Sequence, residues 1–429
     1  MSPLRIGIAG LGTVGAGVVR LLHKNAELIA TRAGRPIRVT AVSARDQSKN
    51  RGISLAGLAW HDNPIALASA ENVDVVVELI GGAEGVAKQL TQAAIANGRA
   101  MVTANKALLA IHGNALGLAA EHAGVTLAYE AAVAGGIPVI KALREGLAAN
   151  HVSRVAGILN GTCNYILTTM RETGKDFAEV LGEAQALGYA EADPAFDIDG
   201  IDAAHKLTIL AALAFGQPPN FAAVHIEGIR RISALDINFA EELGYRIKLL
   251  GIAQRTQTGV SMRVHPAMVP RDTLLATVDG VFNAVLLEND FAGKTFLQGR
   301  GAGAGATASA VVADLIDIAR EQKIPVWGTR QSGLVSGHVV TIEQHTGAYF
   351  LRLMVMDQPG VLADVTSILR DHAISLESML QHGRKPAEAV PIVLVTHETS
   401  EASITAALAQ ISKLKCVLES PAFIRIEPQ

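Results

Sequence analysis

Five carboxylates crowd into twelve residues of the stretch GYAEADPAFDIDGIDAAHKL, residues 188–207: Glu191, Asp193, Asp197, Asp199 and Asp202. Lys206 follows Asp202 by four positions, so on a helix the two share a face. Carboxylates in such a cluster can hold an ammonium, and a single amine beside them can exchange a proton with an alcohol or carbonyl oxygen. That pairing suits hydride transfer on a small amino-acid alcohol or aldehyde. The plainer alternative is a helix start enriched in acids, which the helix dipole favours. Asp202 and Lys206 would then form an exposed bridge worth about 0.3–0.5 kcal/mol. The choice turns on whether the chain also builds a hydride carrier's site and brings a second cation near.

The carrier's site is legible at the start of the chain. An apolar strand, Leu4 to Ala9, runs into Gly10, Leu11, Gly12, Thr13, Val14 and Gly15, and a helix pattern follows through Val18, Val19 and Leu22. In this strand–turn–helix setting the three glycines make a tight turn, an open backbone for a pyrophosphate and a close helix–strand contact. Free amides at the helix start then bind phosphate. The second strand, residues 36–44, ends in Arg45 and Asp46, with Lys49 and Arg51 following. Arg45 and Lys49 can neutralise a 2′-phosphate, which favours NADP, whereas Asp46 keeps NAD as a candidate. A basic solvated turn is the other reading. A later strand, RAMVTANKALLA, places Thr103, Asn105 and Lys106 at the sheet edge where such folds bind ligands. Lys106 is thus the candidate second cation.

Residues 125–143, VTLAYEAAVAGGIPVIKAL, read as strand, glycine-rich loop and helix. Glu130 with the carbonyls of Val133, Gly135 and Ile137 is an oxygen set suited to a hard cation; a glycine hinge between domains accounts for the same residues. The pattern then changes to α+β, with helices around the acidic stretch and strands between residues 224 and 290. A half-exposed sheet with helices on one face is expected there. GRGAGAGATASAVVADLIDIAR supplies a second glycine-rich loop and helix, able to return to the cofactor cleft. A Gly- and Ser-rich connector, residues 325–348, precedes a βαββαβ pattern over residues 349–429.

Composition narrows the classes. The 429 residues are 49% hydrophobic and 18% charged, with a formal net charge of −3, which disfavours nucleic-acid partners. Cys163 and Cys416, the only cysteines, suggest neither a disulfide framework nor a metal pair and fit a reducing compartment. The N-terminus lacks the features of a signal peptide, and no apolar run reaches the roughly 18 residues of a membrane span. A cytoplasmic protein without membrane partners is expected.

Seven stretches together resemble homoserine dehydrogenase of the long, regulated type: GLGTVG, TANK, EAAVAGGIP, ILNGTCNYIL, LGYAEADPAFDIDGIDAAHKL, RVHPAMVP and GRGAGAGATASA. They lie in the family's order over about residues 6–310, and the acidic stretch is the most specific. The resemblance implies NAD(P)-dependent interconversion of L-homoserine and L-aspartate 4-semialdehyde. It implies Lys206 as proton donor and acceptor, Lys106 at both cofactor and substrate, and Glu191, Asp197 and Asp202 at the substrate. Gly188 and Gly303 fall at cofactor positions, and Glu130, Val133, Gly135 and Ile137 at a monovalent cation site of the sodium type. DQPGVLADVTSILRDHAIS resembles the opening of an ACT domain, a ferredoxin-like ligand-sensing module, with Asp357, Gly360 and Leu362 at its ligand loop. Such domains pair through their sheets, so a homodimer or homotetramer and a threonine effector are expected.

The fold class is therefore α/β: a Rossmann NAD(P)-binding domain over 1–135, an α+β substrate and dimerisation domain over 136–325 whose segment near 300–320 packs back on the first, and an ACT domain over 349–429. With the first strand at Leu4, no fused aspartate-kinase segment is expected. Two rivals remain: a catalytically silent amino-acid sensor, and another NADP-linked dehydrogenase of the aspartate pathway that acylates a cysteine, for which Cys163 would have to serve.

Overall fold

The computed structural model describes residues 2–382 and 388–428. β1 (Leu4–Ala9) turns at Gly10 into α1 (Thr13–Lys24), which α2 (Ala26–Ala33) follows. β2 (Ile37–Ser43), β3 (Ala59–Trp60), β4 (Val75–Glu78), α3 (Val86–Ala96), β5 (Ala100–Thr103), α4 (Lys106–Ala123) and β6 (Leu127–Ala128) complete the first unit. Its strands are all parallel, in the order β3-β2-β1-β4-β5-β6. Short continuous apolar runs such as Val75-Val76-Val77 form these strands because helices cover both faces. The order reverses between β1 and β4, and the crevice at their C-terminal ends is where open α/β sheets bind ligands.

The chain leaves this sheet through a loop in which Ala134 and Gly135 are left-handed, with φ of 51° and 32°. α5 (Val139–Lys141) is one turn that widens over residues 142–146. β7 (Val152–Ile158), α6 (Gly161–Thr173), α7 (Phe177–Ala186), α8 (Ala195–Ile198), α9 (Ile201–Phe215), β8 (Val224–Ile226), α10 (Ala234–Glu242), β9 (Tyr245–Arg255), β10 (Val260–Pro270), β11 (Phe282–Asn289) and β12 (Gly293–Arg300) follow. The sheet runs β12-β11-β7-β9-β10. It is not half exposed, as its sequence suggests. β9 and β10 are buried along nearly their whole length. Helices α6 and α9 cover one face. On the other, Leu275, Ala276 and Val278 pack against Ile158, Leu250, Ile252 and Val269. Both faces need apolar side chains, so the alternation of a one-sided sheet is lost.

α11 (Ala304–Ala319) returns to the first unit, where Ala308, Val311 and Leu315 share a core with Ile6, Ile8 and Val18. The approach is close: a Cβ on Gly17 would stand 2.7 Å from the Ala304 carbonyl oxygen.

The stretch at 325–348 is anchored rather than loose. Trp327 is buried against Gly113 and Gly117 of α4, and β13 (Val339–Val340) pairs with β10. β14 (Thr346–Met356), α12 (Val361–Asp371), β15 (Leu376–Gln381), β16 (Ala389–Thr396), the short β17 (Thr399–Ser400), α13 (Glu401–Ile411) and β18 (Ala422–Ile426) then give βαββαβ with one added bridge. Their sheet runs β18-β14-β16-β15, and β18 pairs in parallel with β10 through Ala267–Arg425 and Met268–Ile426. The two sheets are therefore one hydrogen-bonded sheet.

Charges seal the junction. Glu427 accepts from Arg263 Nη2 at 2.7 Å and from Arg154 Nη2 at 3.2 Å, and Arg425 bridges Glu227, at 2.8 Å, and Glu401.

Candidate active site

A cavity of about 570 Å³ lies between the first two units, with Val14, Lys106, Gly135, Asp197, Asp202 and Lys206 in its wall. Helix α9 sets the central pair. Gly200 is left-handed, with φ of 86°, and packs tightly against Ile226 and Val264, so the helix starts at Ile201. Asp202 and Lys206 then stand one turn apart on the cavity side. Asp202 Oδ2 is 2.6 Å from Lys206 Nζ, and its Oδ1 is 3.1 Å from Lys106 Nζ. Lys206 Nζ also donates to the Leu159 carbonyl at 2.7 Å.

The Asp202–Lys206 pair is thus no surface bridge. The two side chains are 5% and 11% exposed, and the figures for solvated pairs do not apply. Burial pushes the Asp202 carboxyl up, but Lys206 and Lys106, with an amide from Asn160, hold it well below the usual carboxylate range. His205 turns towards Phe196 and Phe221 instead. Burial depresses it to about 4, with the two lysines adding to the effect and Asp202 opposing it. It is a neutral packing group near pH 7.

Only two of the five acids of the opening stretch line the cavity. Glu191 is exposed and lies outside the lining. Asp193 caps the backbone of Ala195 at 3.2 Å. Asp199 forms an ion pair with Arg230. A residue outside the sequence reading organises the remaining two: Asn160 Nδ2 donates to Asp197 at 2.8 Å and to Asp202 at 2.9 Å. Its Oδ1 caps α6 by accepting from Cys163 N at 2.8 Å. An Asn between an apolar strand and a helix pattern is an N-cap signal, and the ILNGTCNYIL stretch contains it. The side chain's second task, holding two distant acids, has no local signature.

The glycine turn has room for a dinucleotide. A Cβ at Gly10 would meet the Leu79 carbonyl oxygen at 2.6 Å, and one at Gly15 would meet that of Gly10 at 2.1 Å. Nothing lies within 4 Å of the corresponding point at Gly12. The turn is therefore closed where it packs and open where a pyrophosphate must approach. Leu11 is buried beneath it, while Thr13 faces solvent. Arg51 Nε donates to the Leu11 carbonyl at 3.0 Å and braces the loop. Arg45 is exposed beside it, and the Asp46 carboxylate is engaged by Ser48 N at 2.8 Å and Ser48 Oγ at 2.7 Å. Gly188 and Gly303 line the cavity. Thr103 does not: it is buried, and its hydroxyl donates to Glu78 at 2.6 Å.

The oxygen set at Glu130 is partly in use. Its carboxylate accepts from Ile140 N at 3.0 Å and Lys141 N at 2.9 Å, and the Ile137 carbonyl accepts from Val139 N at 2.7 Å. Burial, with Asp314 adding to it, raises the Glu130 carboxyl to about 7. A carboxylate has more than two lone-pair sites, so a hard cation held by one carboxylate and carbonyls fits the donor chemistry. Among the described residues no cluster of three His, Cys, Asp or Glu forms a multi-carboxylate or thiolate site.

Cys163 lies under α8 with its thiol towards the Asp197 carbonyl at 3.3 Å. Burial, then the nearby carboxylates of Asp197 and Asp202, raise it well above the ordinary thiol range. A thiol kept protonated is a poor nucleophile, which disfavours chemistry through an acyl-cysteine.

Residues 138–316 match the homoserine dehydrogenase family, 10–130 the NAD-binding domain of homoserine dehydrogenase, and 349–415 the ACT domain. Homoserine dehydrogenases of Neisseria gonorrhoeae and Pseudomonas aeruginosa are each 48% identical to this chain, covering 100% of it and 99% of their own length. A crystal structure of a homoserine dehydrogenase from Thiobacillus denitrificans superposes with a TM-score of 0.94 at 49% identity, covering 100% of this chain and 99% of its own. A hyperthermophilic archaeal homoserine dehydrogenase solved in complex with NADPH matches 75% of this chain and 99% of its own, with a TM-score of 0.65 at 25% identity. A dinucleotide turn, a lysine pair joined by one buried acid and a terminal βαββαβ unit thus coincide with likeness over the full length, and the chain belongs to the homoserine dehydrogenase family, in its form with an ACT domain.

Proposed function

We propose that this chain interconverts L-homoserine and L-aspartate 4-semialdehyde, on the aspartate route to threonine and methionine. The observation that carries the reading is the Lys106–Asp202–Lys206 bridge in the cavity below the glycine turn. Nicotinamide coenzyme, when bound at that turn, supplies or accepts the hydride. Lys206 gives a proton to the aldehyde oxygen in reduction and takes it back in oxidation. Asp202 fixes both lysines, and Asn160 fixes Asp202 and Asp197. Asp197 receives the substrate ammonium, and Glu191, exposed outside the lining, joins it only if the 188–194 loop moves inward when substrate binds. An assay of purified chain with L-homoserine and NADP or NAD tests the reading, and absence of coenzyme reduction with either would overturn it.

NADP is the favoured coenzyme. Ser48 N and Oγ occupy one oxygen of Asp46, and Arg45, exposed just after β2, is available to a 2′-phosphate. The archaeal relative's NADPH complex points the same way. Arg45→Ala is expected to raise KM for NADP about tenfold or more while changing KM for NAD less than twofold, since only NADP carries the 2′-phosphate. Equal effects on both coenzymes would remove Arg45 from that role.

Glu130 and the carbonyls of Val133, Gly135 and Ile137 hold a monovalent cation, most simply sodium. Replacing sodium chloride by choline chloride at equal ionic strength is then expected to lower the melting temperature and activity. Indifference to the exchange would remove the cation.

The ACT domain binds L-threonine at the turn from β14 into α12, where Asp357 and Gly360 lie in the loop and Leu362 in the first turn of the helix. The chain works as a homodimer or homotetramer in the cytoplasm. Threonine at a hundredfold its Kd would stabilise the protein by about 2.7 kcal/mol. A melting temperature unmoved by millimolar threonine, with activity unchanged, would exclude the effector.

A further inference from the structure

Two lysines are buried among the described residues, Lys206 and Lys248, and the proton transfer uses only the first. Lys248, in β9, is 1% exposed and lies outside the cavity wall. Burial pushes its ammonium down to about 8, with Asp279 opposing the fall. A charge this costly to bury needs every proton taken up. An ammonium has three to give, and three acceptors meet it: the Val278 carbonyl at 2.6 Å, Asp279 Oδ1 at 3.0 Å and Asn164 Oδ1 at 3.3 Å.

All three lead to one loop, residues 278–283, which enters β11. Asn164 Nδ2 lies against the carbonyls of Val278, Gly280 and Phe282, at 3.1, 2.9 and 3.2 Å. Thr168 Oγ accepts from Gly280 N at 3.1 Å. Val281, inside this gripped stretch, forms part of the cavity wall. Its carbonyl abuts the first residue of α6: a Cβ on Gly161 would stand 2.8 Å from that oxygen. Asn160, one residue earlier, holds Asp197 and Asp202. A lysine buried against the sheet is thus joined through one loop to the acids of the site.

We infer that Lys248 is a positioning residue for the reaction: its grip on the 278–283 loop sets where Val281 and the start of α6 stand on the substrate side of the cavity. The inference rests on the reading of this cavity as a homoserine site. Arg171 and Arg246 also face Asp279, at 2.9 and 3.6 Å, so the loop's charge is balanced without Lys248. What Lys248 adds is a short bond to the Val278 carbonyl and a hold on the Asn164 amide oxygen. The glycine turn belongs to the first unit and has no part in this grip.

Lys248→Met in the full chain tests this. Methionine keeps most of the stem and removes the protons. Asp279 keeps Arg171 and the Val278 carbonyl keeps Asn164 Nδ2, so the variant should fold. KM for L-homoserine should rise about tenfold or more, with kcat within about threefold and KM for NADP within about twofold, because a displaced wall weakens substrate and transition state alike. Hydrogen exchange reads the grip without turnover: backbone amides of residues 278–283 should exchange about tenfold faster than in wild type, and those of α4 at an unchanged rate. If the Met variant melts below the assay temperature, Lys248→Gln, which keeps a shorter donor, replaces it, with smaller changes in the same direction. A lysine that only supports the fold would lower the melting temperature and leave both KM values alone. That result, or unchanged exchange over residues 278–283, would overturn the inference. A wild type unable to oxidise homoserine would overturn the proposed function instead, and the exchange comparison would still decide whether Lys248 holds the loop.

Discussion

Lys206→Ala is expected to lower kcat for homoserine oxidation by about 10²–10⁴-fold, the usual contribution of a positioned general acid–base group. NADPH binding should hold, because the glycine turn is built without α9. The geometry keeps the test clean. Asp202 retains Lys106 at 3.1 Å and the Asn160 amide at 2.9 Å when Nζ of residue 206 is removed, so its carboxylate is not left unpaired. Lys206→Arg separates two roles that the alanine variant merges. Arginine keeps a charge near Asp202 but stays protonated throughout the working range, so a proton shuttle fails and a purely electrostatic anchor survives. Retention of kcat within tenfold in Lys206→Ala would move the proton to another group, with Lys106 the first to try.

Glu427→Ala is expected to destabilise the protein by about 3–5 kcal/mol, the range for removing one partner of a buried ion pair. Its carboxylate is 4% exposed, and Arg263, 2% exposed, would keep only the weak Ser261 hydroxyl contact at 3.4 Å. Glu427→Gln keeps an acceptor and should cost less. Burial raises the Glu427 carboxyl, but Arg263, His265 and Arg154 outweigh it and hold it below the ordinary carboxylate range. A group whose folded value is depressed stabilises above its unfolded value and loses that contribution as pH falls towards the folded one. The gap in stability between wild type and Glu427→Gln should therefore be full near neutrality and narrow below about pH 4. Urea unfolding at pH 7 and at successively lower pH measures it; a gap below about 1 kcal/mol at pH 7 would show that the junction does not need this charge.

The same junction changes how regulation must be tested. Removing residues 349–429 strips β18 from β10 and uncovers Arg263 and Arg154. Loss of threonine response in such a truncation would not distinguish an absent effector site from a damaged catalytic unit. Substitutions at Gly360 or Leu362, at the start of α12, leave the sheet intact.

Local signals carried much of the fold. The first unit was legible because its strands are short apolar runs and its first turn has a physical reason for each glycine. A helix carrying Asp202 and Lys206 on one face was also visible, from their spacing of four. What escaped is non-local. Burial of Asp202 and Lys206 depends on Leu159 and Asn160, from the β7–α6 connection, and on Lys106, from the start of α4. The exposure of Glu191 depends on how the 188–194 loop leaves α7, which no periodicity records. The Gly- and Ser-rich composition of 325–348 resembles a linker, yet Trp327 and the Val339–Val340 bridge tie it down, because a single buried aromatic outweighs the flexibility of the residues around it. β18 reads as the last strand of a separate module; that it also completes β10 follows only from matching edges in three dimensions.

Arg154 and Glu427 are separated by 273 positions in the chain. At about 5–20 residues per second, translation from one to the other takes roughly 14–55 s. Through that interval Arg154 lacks the Glu427 carboxylate, and once residues 260–270 have been made Arg263 lacks it too and the β18 margin of β10 has no neighbour. The nascent catalytic half therefore waits, incompletely closed, for the final strand to arrive, and during that wait it is exposed to chaperones, to proteases and to pairing with the wrong edge.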